Sequence, residues 1–157
     1  MTKTPDDIKN ALLRMQDLCS RTEKCRFDIK EKLKGLGFSA DQTEKIINEL
    51  IKDKFIDDQR FAGFFVRDKF KFKKWGKIKI GYSLKMKKIA PEIIDEALSS
   101  IDEDEYRELI INELKKKNSV IKEKNQYKRK AKLFQFAAGR GFESGLIYEA
   151  IDKINED

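Results

Sequence analysis

The chain has 157 residues, 40% charged and 39% hydrophobic, with 35 Lys and Arg against 28 Asp and Glu and a net charge of +7. Regularly spaced apolar residues argue against disorder, and apolar runs of at most three, such as Ala11-Leu12-Leu13, exclude a membrane-spanning helix and a signal-peptide core, so a cytoplasmic protein is expected. With no histidine and no phosphate-binding glycine loop, the commonest general base, His-based triads and His metal sites are excluded; no catalytic residue, cofactor, metal or small-molecule substrate is expected.

Helix signals recur along the chain. Thr4-Pro5-Asp6-Asp7 reads as an N-cap, a proline at N1 and an acid at N3, and Ile8, Ala11, Leu12, Met15, Leu18 and Cys19 then trace one face. Ser20-Arg21-Thr22-Glu23 reads as a capping box opening a second helix, with Cys25, Ile29, Leu33 and Leu36 inward and Gly37 at its left-handed end. The two cysteines, six apart with no histidine, suggest neither a zinc site nor a disulfide framework and read as small, partly buried helix residues. Ser39 to Gln42 caps a third helix carrying Ile46, Ile47, Leu50 and Ile51.

Asp57-Asp58 opens the next helix, on which Phe61, Phe64, Phe65 and Phe72 share a face, with Phe70 opposite. Gly76 interrupts; helices with Ile80 and Leu84, then from Pro91 with Ile93, Ile94, Ala97, Leu98 and Ile101, follow. Asp102 to Glu105 caps a helix with Tyr106, Leu109, Ile110 and Leu114. This acidic run is explained by helix-start chemistry rather than by a metal site. A polar connection is expected around Asn118 and Ser119. Then come a helix with Tyr127, Ala131, Phe134 and Ala138 and a last one with Leu146, Ile147, Ala150, Ile151 and Ile154.

These helices form repeats. Ile29, Leu33, Phe38, Ile46, Ile47 and Leu50 superpose on Ile80, Leu84, Ile89, Ala97, Leu98 and Ile101 at an offset of 51. Ile80, Leu84, Ile89, Ile93, Ile94, Ala97, Leu98 and Ile101 superpose on Leu133, Ala137, Phe142, Leu146, Ile147, Ala150, Ile151 and Ile154 at an offset of 53. A period near 50 in helical sequence means stacked helical units. The expectation is an all-α protein of three tandem three-helix repeats, residues 1–54, 55–101 and 102–157, in an elongated, curved array. Each unit is too small for a sizeable core of its own, so neighbours should pack together.

Charge is segregated. Arg67 to Lys88 holds ten basic residues and one acid, Lys115 to Lys132 nine and one, and Glu92 to Glu108 eight acids and one base. Each basic block alone reads as a solvated helix face; together, on the first and second helices of the last two repeats, they favour a polyanion-binding surface. The candidates are Lys69, Lys73, Lys74, Lys77, Lys79, Lys85, Lys87 and Lys88, with Lys128, Arg129, Lys130 and Lys132 second. Trp75, among lysines at the helix break, suits stacking on a base, anchoring a protein contact or packing on the next repeat. The alternative reading of the same residues is a double-stranded DNA-binding regulator of helix-turn-helix type; a metal nuclease would require metal-dependent cleavage that disappears when Asp102 and Asp104 are replaced.

Four stretches resemble the RecX family, regulators of the bacterial RecA recombinase. They are Phe55-Ile56-Asp57-Asp58-Gln59-Arg60-Phe61-Ala62 through Phe65-Val66 to Lys69; Gly76-Lys77-Ile78-Lys79-Ile80 through Leu84 to Ile89; Arg21 through Leu33 to Gly37-Phe38; and Lys130 to Phe136 through Gly141-Phe142. The resemblance covers nearly the whole chain in order, departing at Lys77, Ile78, Ser83 and Lys88. It implies a non-enzymatic, mainly negative modulator that binds the RecA–DNA filament along its groove and limits recombination and ATPase activity in DNA repair. Single-stranded DNA, bound weakly, and duplex DNA are the further expected partners.

Overall fold

The computed structural model describes residues 2–156. Among them are nine helices: α1 (Pro5–Arg21), α2 (Arg26–Gly35), α3 (Ala40–Lys52), α4 (Asp58–Lys71), α5 (Lys77–Met86), α6 (Pro91–Ser99), α7 (Glu103–Val120), α8 (Gln126–Gly139) and α9 (Ser144–Glu156). Their boundaries have local causes. The Asp7 N–H donates to the Thr4 hydroxyl (3.1 Å) while the Thr4 N–H donates to the Asp7 carboxylate (2.8 Å), and Ser39 and Gln42 make the same reciprocal box at α3. Asp57, Asp102 and Asn125 cap α4, α7 and α8 by accepting from the backbone three residues on.

The ends of α2, α5 and α8 repeat one turn. The Phe38, Ile89 and Phe142 N–H groups each donate back to a carbonyl five residues earlier, that of Leu33, Leu84 and Ala137, at 3.2 Å. The residues before them have positive φ: Gly37 (91°), Lys88 (60°) and Gly141 (95°). Those three positions are separated by 51 and 53, the offsets found in the apolar residues. Lys88 therefore holds a left-handed conformation that glycine fills in the other two turns.

Four local expectations are corrected. The Ser20–Glu23 box is not used: α1 runs on through Arg21, the Ser20 hydroxyl donates back to Asp17 O, and Glu23 accepts from Arg60. The N-cap of α2 is Cys25, whose N–H donates to Asp28 Oδ2 (3.2 Å). On α4, Phe70 is buried, whereas Phe64 and Phe72 are exposed. The reason is a neighbour on the second side: Phe70 lies 6.1 Å from the ring of Tyr106, and Phe72 comes after the helix has ended. Asn118 and Ser119 lie inside α7, so the connection is 121–125. On α8 the buried pair is Leu133 and Ala137, while Tyr127, Ala131 and Ala138 are exposed and Phe134 half-buried. The repeat register places Leu133 and Ala137 correctly; the apolar face of α8 taken alone does not.

Helices pack mainly in trios, α1–α3, α4–α6 and α7–α9. The buried side chains form two clusters rather than three. Met15, Ile29, Leu33, Ile46, Ile47, Leu50 and Ile56 centre the first trio. The second cluster joins the other trios in one core, from Phe61, Val66, Ile80 and Leu84 to Tyr106, Ile110, Leu133 and Ile151. Cys25, at the start of α2, also belongs to it. Burial pushes the Cys25 thiol up to about 12, so it packs as an un-ionised group.

Candidate nucleic-acid interface

The second helices of the trios meet end to end. At the N-terminus of α5, the Gly76 N–H donates to Arg140 O (2.7 Å) and the Ile78 N–H to Gly141 O (3.0 Å), both in the turn that ends α8. The Lys77 N–H donates to the Tyr106 hydroxyl (2.8 Å), which itself donates to Glu143 Oε1. Three N–H groups that a helix start leaves unpaired are thus satisfied by the next trio. Burial, reinforced by the Glu143 carboxylate, pushes the Tyr106 phenol far above its ordinary value, keeping it a donor. The approach requires glycine: a Cβ on Gly76 would overlap the Gly141 carbonyl and Phe142 nitrogen, and one on Gly141 would overlap Lys79.

At the other end of α5, Lys87 Nζ lies 2.7 Å from Asp28 Oδ1 at the start of α2. Arg60 pairs with Glu23 (2.7 Å), and the Arg26 N–H donates to Asp58 Oδ1 (2.9 Å). Burial alone would raise the Asp28 carboxyl, but the Lys87 ammonium and Cys25 N–H outweigh it and hold it below its ordinary value. The row α8, α5, α2 is the scaffold that carries most of the candidate cations.

Those cations divide by environment. Lys69 and Lys79 flank Trp75, with Nζ 5.0 and 4.4 Å from its centroid, and Lys69 also lies 5.2 Å from the Phe65 centroid. Trp75 is thereby half-buried between lysine stems. Lys77 pairs with Glu103 (3.0 Å) and lies over Tyr106 (4.9 Å). Lys87 is held by Asp28, and Lys74 Nζ donates to Lys71 O (2.7 Å). Arg129 donates to the carbonyls of Ile121 (3.0 Å), Glu123 (2.6 Å) and Asn118 (2.8 Å), clamping the α7–α8 connection. Lys73, Lys85, Lys88, Lys128, Lys130 and Lys132 are exposed.

Sequence reasoning missed the rings that stand beside these exposed lysines. Phe72, Tyr82, Tyr127 and Tyr148 are 78%, 62%, 84% and 59% exposed. The available signal was on α8, which carries two apolar faces at helical spacing; the core takes Leu133/Ala137, Phe134 packs half-buried at its edge, and Tyr127 is left outward. Among the described residues no three Asp, Glu or Cys side chains converge as a metal site requires, and no helix is long and apolar enough to cross a membrane. Asp102 and Asp104 sit at the α7 start, where Asp102 is the cap.

Fold and surface together define a class: a tandem array of three-helix units joined through their second helices, with an outer face of cations and aromatic rings. Residues 57–98 match the family model for the second three-helix domain of RecX, and residues 103–151 match that for the third. The chain is 37% identical over 137 residues to the regulatory protein RecX of Chlorobium phaeobacteroides, covering 87% of this chain and 88% of that one. It is 32% identical over 148 residues to its counterpart in Prosthecochloris aestuarii, covering 94% and 95%. The crystal structure of RecX from Lactobacillus salivarius shares the fold with a TM-score of 0.88 at 23% identity, covering 98% of this chain and 100% of that one. The chain belongs to the RecX family of regulatory proteins.

Proposed function

We propose that this chain is a non-enzymatic, mainly negative modulator of the RecA recombinase in the cytoplasm, binding the RecA–DNA filament and limiting its recombination and ATPase activity. Its working parts are three three-helix units, residues 1–54, 55–101 and 102–157. The observation that carries the reading is the placement of exposed Lys73, Lys85, Lys88, Lys128, Lys130 and Lys132 on and beside α5 and α8, helices joined end to end. Cations distributed along such a row match the repeating phosphates of a filament better than the one recognition helix of a helix-turn-helix regulator. The remaining candidates, Lys69, Lys74, Lys77, Lys79, Lys87 and Arg129, shape that row and add to its field while holding internal partners.

No chemical step is required. Binding that favours one filament state shifts its population and so lowers turnover. Exposed lysines that neutralise phosphates release counterions condensed on the strand, so binding to free single strands is salt-dependent; it is weak without the recombinase contacts, and duplex is a competing polyanion. Co-sedimentation with RecA assembled on single-stranded DNA, with and without nucleotide, tests the reading. The chain is expected to sediment with the assembled filament. Sedimentation no greater than with free DNA would contradict a filament partner.

A further inference from the structure

The groove between the second and third helices is lined by different chemistry in each trio. Between α8 and α9 it is open, with a cavity of about 490 Å³. Tyr127 and Lys130 stand at its α8 edge, Phe134 and Tyr148 stack at 4.9 Å across it, and Ile151 forms part of its wall. At the repeat-equivalent places of Lys130, Phe134 and Tyr148, the first trio has Arg26, Lys30 and Glu44; its groove holds a cavity of about 360 Å³, but charged side chains line it and the Arg26–Glu44 ion pair (3.4 Å) lies across it. The middle trio has Lys77, Gly81 and Asp95, and Gly81 lets Leu98 and Ile94 close over the site. Phe134 packs one side against the α4–α9 core, but the other two trios build the same fold with lysine or glycine at its place and with glutamate or aspartate at that of Tyr148, which is 59% exposed.

We propose that the α8–α9 groove is a base-stacking site for single-stranded nucleic acid, with Tyr127, Phe134 and Tyr148 as the platform. Charge selects this occupant. Helix α8 carries Lys128, Lys130 and Lys132 and no acid, so its side accepts the phosphate chain. The Gln135 amide and Asp152 carboxylate, the polar groups lining the groove, present an acceptor and donor set to base edges. Rings accept any base face, so the site discriminates bases from backbone and not one sequence from another. The proposal rests on the reading that this chain approaches DNA within a recombinase filament, and adds the part of the strand it touches.

The test compares a labelled oligothymidylate with an abasic strand of equal length, using anisotropy over a salt series. The variant is Phe134→Lys with Tyr148→Glu, which installs the residues that the first trio already accommodates and leaves net charge unchanged. Wild type is expected to bind the thymidylate about tenfold or more tighter than the abasic strand. The variant loses that preference while keeping the same salt slope and helicity. Tyr127→Ala, at an 84% exposed residue, reduces the preference without threatening the fold. Equal wild-type affinity for both strands, or a preference unchanged in the variants, overturns the site. So does a variant that keeps the preference but fails to sediment with the filament, which would assign the groove to a protein segment. Wild type that prefers bases yet never sediments with RecA filaments would instead remove the filament reading and leave the groove standing.

Discussion

The joint between α8 and α5 and the joint between α5 and α2 occupy equivalent places in the repeat but are built from different chemistry. The first uses main-chain hydrogen bonds across a glycine–glycine approach, sealed by the buried Tyr106 between Phe70 and Phe142. The second relies mainly on side-chain charge, Lys87 on Asp28, Arg60 on Glu23 and the Asp58 carboxylate on the Arg26 N–H, with Cys25 and Phe27 as its apolar contact. Main-chain bonds inside a shared core exclude water and salt; half-exposed ion pairs do not. The second and third trios should therefore behave as one cooperative body, and the first as a separately stable unit attached through a joint that ionic conditions loosen.

The largest effect should come from Gly76→Ala. Its Cβ meets main-chain atoms that cannot rotate away, so urea unfolding should show a loss of roughly 3 kcal/mol or more. The equivalent position in the first trio is Cys25, which already bears a side chain, so Cys25→Ala should cost about 1 kcal/mol.

Leu84→Ala and Leu33→Ala should each cost roughly 2–5 kcal/mol, since both side chains are fully buried. Hydrogen exchange separates them. Leu84→Ala, like Ile151→Ala, should speed exchange throughout α4–α9, whereas Leu33→Ala should speed it in α1–α3 alone. Uniform acceleration by all three would mean that the two clusters unfold together.

Tyr106→Phe keeps the ring and removes the hydroxyl that caps Lys77 and bonds Glu143; stability should fall by about 1–2 kcal/mol, with faster exchange at the α5 start. The smallest effect is expected at the ionic joint, where Lys87→Ala should cost about 0.5 kcal/mol at low salt and less at high salt. Asp28 has a folded value depressed below its ordinary 3.8, so its contribution is complete above that pH and is lost as pH falls through the folded value. Lys87→Ala should therefore flatten the acid side of the stability curve, read by thermal unfolding between neutral pH and the acid limb.

These contrasts also explain what the sequence showed and what it withheld. Repeat offsets located Leu133 and Ala137 and aligned Phe38, Ile89 and Phe142, the residues that close the three matching turns, because a core facing the same environment three times selects the same residue class. Single-helix face reading failed where a second neighbour or no neighbour altered that environment. Phe70 faces Tyr106 of the next trio, and Tyr127 faces solvent. Capping chemistry at Ser20–Glu23 was locally sound, but Arg60, 37 residues away, takes the Glu23 carboxylate. Net charge located the basic blocks and could not separate Lys69, Lys79 and Arg129, which have internal partners, from Lys73 and Lys130, which project outward.

That separation gives the central measurement. The five-fold variant Lys73→Ala, Lys85→Ala, Lys128→Ala, Lys130→Ala and Lys132→Ala removes outward cations and leaves every ion pair at the two joints intact. Its effect on the DNA-stimulated ATPase of RecA should be compared with that of wild type, alongside the salt slope of strand binding. Wild type should lower the ATPase. The variant, with unchanged helicity, should inhibit much less and show a salt slope flatter by about 0.7 for each single-strand phosphate it no longer neutralises. A variant that inhibits as well as wild type with the same slope would show that these lysines are only a solvated face, and would contradict their assignment as the filament-binding surface.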